Sequence, residues 1–246
     1  MVTDILVRDW LSHPRYTHSN IRDCAREAES RIARMGVKLV LCRDFSGLAA
    51  INERNREAGW FGLMPMFHPD TYSHPEAFWI KGLDHRDEPV MTVAARLYRV
   101  PSGGLGEEIR SLRLFYEDPI RMRAADELCL CSAPSVSALK GKVLYCGAGW
   151  CARDYRGLGF ASIVPRISQW IGDLLWRQDY TISLVDPVLI EKGVVAAYGY
   201  DNIEPGVLWW NSPSQGTIDL NLIWMTRSYM LNDLEHQLQT REAVPA

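Results

Sequence analysis

Several things are missing from this 246-residue chain, and each absence removes a class of function. No apolar run is long enough to span a bilayer, and Asp4 and Arg8 interrupt the only candidate signal segment. A cytoplasmic protein with no membrane partner is expected. There is no excess of positive charge either: the net charge is -3 and the pI is near 6.1, which argues against a nucleic-acid surface as the main function. The six cysteines, Cys24, Cys42, Cys129, Cys131, Cys146 and Cys151, include no Cys-x-x-Cys pair, and no metal is expected. Cys129 and Cys131 alternate onto one face of a strand-like run, where buried free thiols are the commoner outcome than a metal or disulfide pair. Internal repeats and low-complexity tracts are absent.

What is present fits an α/β domain. With 47% hydrophobic and 23% charged residues, residues 1–246 can bury one large core as a single domain. The most informative stretch runs from Val143 to Trp176. An apolar strand-like segment, Val143 to Cys151, leads into Arg156-Gly157-Leu158-Gly159-Phe160-Ala161. Beyond it Ile163, Val164, Ile167, Trp170, Ile171, Leu174 and Leu175 recur at helical spacing. A strand that ends in a glycine turn at a helix N-terminus can bind phosphate, because the first N–H groups have no partner in the helix and sit at the positive end of its dipole. Pro165 requires this helix to start near Phe160 to Ser162 or else to kink.

Three nucleotide-binding patterns compete for this turn. A Walker loop needs four residues between its glycines and a following Lys-Ser/Thr, and neither is present. The dinucleotide fingerprint needs a third glycine where this chain has Ser162, although Asp186 could serve as its acid; nicotinamide-dependent redox chemistry is therefore a weaker alternative. Arg156, Gly159 and Ala161 fill the fixed positions of Arg/Gln-x-x-Gly-x-Gly/Ala. In this the chain resembles the GNAT superfamily of acyl-coenzyme A-dependent N-acyltransferases.

The surroundings extend the resemblance. Tyr180 to Asp186 reads as a strand, Val188 to Tyr198 as a helix, and Gly199-Tyr200 is similar to the family's Gly-Phe pair. Val207 to Trp210 and Thr217 to Thr226 read as two more strands. Upstream, Ser19 or Asn20 opens a helix that ends at Gly36, Val37 to Cys42 is a strand, and Phe45 to Ala58 is a helix. Phe61 to Pro75 is an aromatic loop able to line a substrate pocket. Ala77 to Leu83 and Val90 to Val100 pair around a polar turn. Residues 101–141 form an insertion in which Gly106 to Tyr116 is helical and Pro119 stops the helix, and Thr240 to Ala246 is a frayed tail. The fold implied is a GNAT-like mixed, mostly antiparallel sheet of six to seven strands flanked by helices, with N-terminal elements in 1–100, the insertion before the fourth strand and the acyl-CoA core in 142–230.

The resemblance also implies the chemistry. Trp150, Cys151 and Ala152 would face the pantetheine arm. The amides of Gly157, Leu158, Gly159, Phe160 and Ala161 would hold the pyrophosphate of acetyl-CoA or another acyl-CoA, and Arg156 would add charge. The family often carries a tyrosine acid where this chain has Val195; Tyr198 is the nearest substitute, with packing as its other reading. Asp186 is a candidate base or, before Pro187, a helix cap. Asp219, Asn221, His85, His68 and His74 are further base candidates. The nine tryptophans, Trp209 and Trp210 adjacent among them, are core, or else line a pocket for longer acyl chains. The partner would be a small-molecule or peptide amine, with a homodimer possible; a non-catalytic coenzyme A-binding module is the alternative to an enzyme.

Overall fold

The computed structural model describes residues 4–16, 19–57, 59–60, 62–213 and 216–242. Its strands are β1 (Ile5–Leu6), β2 (Lys38–Cys42), β3 (Ala77–Leu83), β4 (Pro89–Val100), β5 (Leu128–Cys131), β6 (Gly141–Cys151), β7 (Tyr180–Val185), β8 (Asn202–Ser212) and β9 (Gly216–Thr226). The helices are α1 (Val7–Leu11), α2 (Asn20–Arg34), α3 (Phe45–Asn55), α4 (Leu105–Arg110), α5 (Pro119–Met122), α6 (Phe160–Trp176), α7 (Pro187–Glu191) and α8 (Arg227–Glu242). Among the described residues no helix is long and apolar enough to cross a membrane.

All the strands lie in one sheet, ordered β1-β2-β3-β4-β6-β7-β9-β8-β5. Every adjacent pair is antiparallel except β6 with β7. This is the mixed, mostly antiparallel sheet flanked by helices that the resemblance implies, with nine strands rather than six or seven. The additions are the dipeptide β1 at one edge and β5, contributed by the insertion, at the other. From β6 onward the order is strand, helix, strand, short helix, strand, strand, as expected.

The alternation of side chains along each strand divides the core in two. Leu144, Cys146, Ala95 and Phe78 meet α1, α2, α6 and α8 on one face; Val143, Tyr145, Ala94 and Tyr98 meet α3, the loop at 62–75 and the insertion on the other. Helix α6 lies so close to β6 that a Cβ on Gly172 would collide with the Leu144 methyl. Asp173, buried on α6, accepts from Arg227 Nη2 at 3.1 Å and so ties down the start of α8.

Several boundaries differ from the sequence reading for local reasons. The helix expected over Val188 to Tyr198 is broken: α7 stops, Gly193 adopts φ 70°, and a separate 3₁₀ turn spans Val195–Tyr198. The helix expected from Gly106 to Tyr116 ends at Arg110, and Leu112 turns the chain at φ 62°. Pro119 starts α5, capped by Asp118, rather than stopping a helix. Strand β8 extends well beyond Val207 to Trp210, accommodating Pro205 and Gly206 at an irregularity between Glu204 and Val207. Helix α3 ends at Asn55; Ala58, in the longer helix expected, lies outside the described residues, as does Phe61 at the start of the loop. Helix α8 runs to Glu242, through the first part of the expected tail, whose residues 243–246 lie outside the described residues.

Candidate functional site

The two parallel strands separate where the glycine turn begins. Strands β6 and β7 pair only at Val143 with Tyr180, Leu144 with Thr181 and Tyr145 with Ile182. Beyond these, β6 continues to Cys151 and β7 to Val185 without pairing to each other. A bulge deflects β6: Ala94 faces Gly147 and Thr92 faces Trp150, so Ala148 and Gly149 stand against Val93 alone. Ala148 adopts φ 49°, and Thr92 Oγ1 donates to its carbonyl at 2.8 Å. The result is a slot at the carboxyl end of the parallel pair, where open sheets bind ligands.

Each face of the slot carries a tyrosine to which the sequence assigns no role in the site. Tyr145, fully buried, accepts from Leu184 N–H at 3.4 Å and donates to Met64 Sδ at 3.4 Å. Tyr200 donates to the Ile182 carbonyl at 3.5 Å from the side of α6. Burial raises the pKa of both hydroxyls, and both stay protonated at neutral pH. The signal for Tyr200 was its place in the Gly-Phe-like pair; nothing local marks Tyr145.

The turn follows directly. Trp150 and Cys151 end β6, and Ala152 follows it, its N–H donating to the Val90 carbonyl at 2.8 Å. Burial raises the Cys151 thiol and, at the floor of the slot, pushes Cys146 up to about 12, so both remain thiols. Trp150 stacks on Trp60 with ring centroids 5.3 Å apart. After a 3₁₀ turn at Arg153–Tyr155, Arg156 is exposed and its Nε donates to the Cys151 carbonyl at 3.0 Å. Gly157 and Gly159 take φ 79° and 86°, and a Cβ on either would meet nothing within 4 Å. Leu158 projects outward, and Gly159 is the N-cap of α6 with no side chain to satisfy the first amides, at Phe160 and Ala161. Helix α6 starts at Phe160 and carries Pro165 inside it. The Arg166 guanidinium donates to the Ser162 carbonyl at 2.9 Å and also to that of Ala197.

Tyr198 is half-buried at the end of its 3₁₀ turn, its carbonyl accepting from Gln169 Nε2 at 3.2 Å. Burial raises its hydroxyl pKa. Asp186, at the end of β7, accepts from Val188 N–H at 2.8 Å and so caps α7. Of the other base candidates, Asn221 pairs with Val185 at the end of β7, Asp219 and His85 are exposed, and His68 Nδ1 lies 3.7 Å from Asp70. Cys129 and Cys131 are free thiols on the edge strand, far along the sheet from the slot. Trp79, Trp170 and Trp209 are core, while Trp210 faces out.

No protein-family model matches the chain. No curated protein matches it either. Among solved structures it is similar to a spermidine/spermine N-acetyltransferase from Vibrio cholerae, at 12% identity and TM-score 0.48, over 81% of this chain and 98% of that one. An aminoglycoside acetyltransferase solved with coenzyme A and kanamycin is similar at 12% identity and TM-score 0.44, over 80% and 98%. The chain is similar, too, to an N-acyl amino acid synthase from uncultured soil microbes, at 11% identity and TM-score 0.45, over 75% of this chain and 86% of that one.

Proposed function

We propose that this protein is an acyl-CoA-dependent N-acyltransferase, a divergent member of the GNAT superfamily, that moves an acetyl or longer acyl group to a small-molecule or peptide amine. The observation that carries the reading is the parting of β6 and β7 after three paired residues, with the glycine turn of α6 at the end of β6. Unpaired strand backbone binds an extended, amide-bearing arm as it would bind another strand, and pantetheine is such an arm. Trp150, Cys151 and Ala152 would lie along it. The pyrophosphate would then meet the amides from Gly157 to Ala161, where the missing side chains of Gly157 and Gly159 leave room, with Arg156 at the rim.

The reaction needs no covalent enzyme intermediate. The amine nitrogen attacks the thioester carbonyl, the C–S bond breaks, the nitrogen loses a proton and the thiolate gains one. Tyr198 is the proposed acid; burial keeps its hydroxyl protonated, as the role demands. Asp186 is the proposed base, acting through water with the carboxylate oxygen that does not cap α7.

That cap bond favours one competing reading, a module that binds coenzyme A without catalysis. Two measurements decide. Calorimetry with coenzyme A is expected to show binding, and its absence sinks both readings. Thiol release from acetyl-CoA with a panel of amines is expected next; binding without release selects the module.

A further inference from the structure

We propose that the sheet face beside the slot carries a buried subsite for a carboxylate, and that the acceptor is an amino acid with an apolar side chain. The acceptor assignment rests on the acyltransferase reading; the subsite does not. Arg96 lies in the middle of β4, 6% exposed, in register with Tyr145 of β6 and Ala77 of β3. Its Nη1 donates to the carbonyls of Ser73 at 3.1 Å and Met66 at 3.3 Å, and its guanidinium carbon lies 3.2 Å from the Tyr72 ring centroid. These contacts are dipoles and a π face; among the described residues no carboxylate hydrogen-bonds the guanidinium, and a buried cation is stabilised by a direct one.

The acids nearby make their hydrogen bonds elsewhere, although Glu117, held below its usual pKa chiefly by Ser73, also feels the charge of Arg96. The Glu117 carboxylate accepts from Ser73 N–H at 2.8 Å and Ser73 Oγ at 2.7 Å, Glu76 pairs with Arg99, and Glu108 pairs with Arg113. Arg96 Nε is buried with no acceptor among the described residues, and so is Nε2 of His74, whose ring stacks on Phe45 at 4.0 Å. Elsewhere, Arg227 meets Asp173 and Arg166 meets Asp233. A carboxylate at Arg96 Nε would supply the missing acceptor and a directly hydrogen-bonded counter-charge.

The cluster adjoins the slot. Tyr145, the register partner of Arg96, reaches β7, and Phe67 covers both the Tyr145 ring and Gly147, next to the bulge. One to two strand spacings, about 5 to 10 Å, separate Arg96 from the slot, a distance a small amino acid spans. Phe67, Tyr72 and Tyr98 make the surroundings aromatic, and the cover is thin: Tyr72 and His74 are half-buried and Ser73 is exposed.

The probes are phenylalanine and phenylalaninamide, alike except for the carboxylate. Calorimetry on the full chain, with and without coenzyme A, is expected to show phenylalanine binding about tenfold to a hundredfold more tightly. Arg96→Gln should abolish that preference and raise KM for phenylalanine more than it lowers kcat, while Arg96→Lys keeps part of it. Equal binding of the two probes, no binding of phenylalanine, or a preference that survives in Arg96→Gln overturns the subsite. The wild-type comparison needs no variant to fold. Preferential binding without thiol release would sink acyl transfer and keep the subsite; release without an acid-over-amide preference would do the reverse.

Discussion

Two neighbouring strand pairs of one sheet, β6 with β7 and β8 with β9, end in opposite ways. The β8 and β9 hairpin stays paired from Asn202 with Trp224 to Ser212 with Gly216 and absorbs its irregularities at Glu204/Val207 and Trp209/Ser212 without opening. The parallel pair closes for three residues and then parts. A hairpin turn joins antiparallel strands directly at one end, whereas parallel strands are joined through a crossover and have no turn linking their carboxyl ends. Where the ladder resumes past its irregularities, its backbone groups serve stability. Where it parts, they are available to a ligand, and the packing beneath must hold the slot open.

The sharpest way to break this contrast is to charge the open end alone. Gly159→Asp is expected to weaken coenzyme A binding about a hundredfold or more by placing a carboxylate beside the phosphates. Gly159→Asn is the control, since at φ 86° both residues carry similar backbone strain and asparagine tolerates the left-handed region. Thermal melts of the two should agree while calorimetry separates them.

The closed end should respond in the opposite sense. Glu127, buried beneath β8, accepts from Tyr116 Oη and Trp209 Nε1, both at 2.8 Å, and from Ala124 N–H at 3.0 Å. Glu127→Ala strands these donors and leaves a void, so urea unfolding should show a loss of about 3 kcal/mol, with coenzyme A affinity unchanged.

Between the two lies the packing of α6 on β6. Gly172→Ala gains about 1 kcal/mol of helix propensity and loses about 1 to 3 kcal/mol by crowding Leu144. The crowding should win by about 1 kcal/mol, and because it pushes the α6 turn away from β6, both stability and coenzyme A binding should fall together. Loss of only one would show that the slot and its supporting helix are uncoupled.

The smallest effect concerns the covering loop. Burial, reinforced by the charge of Arg96, lowers the His74 pKa from its usual value near 6.5 to about 4. The unfolded chain therefore binds more protons than the folded one between these values, and stability should fall as pH drops from about 6.5 to 4. In His74→Phe, which preserves the stack on Phe45, urea midpoints should lose part of that slope.

The sequence made the open end easier to read than the closed one. Arg156 to Ala161 is a local pattern, and both its glycines occupy the left-handed conformations that such a turn requires. Strands β3, β4 and β6 were visible as apolar runs. Pro205 and Gly206, however, look like chain breakers, and only pairing with β9 shows that β8 passes through them. Gly193 sits inside an apparently helical pattern, and its positive φ splits that pattern in two. Tyr145, Tyr200 and Arg96 owe their positions to partners 18 to 39 residues away, such as Ile182, Leu184 and Ser73. No periodicity encodes contacts of that kind.

The stacked indoles of Trp60 and Trp150 give the molecule an optical handle. Two indoles at 5.3 Å and an interplanar angle of 16° couple their electronic transitions, and such coupling depends steeply on separation and angle. One ring is carried by β6 just past the bulge and the other by the segment that follows α3, so any ligand that wedges between these elements must alter the near-ultraviolet circular dichroism. The chain thus carries its own unlabelled spectroscopic gauge at the rim of the slot.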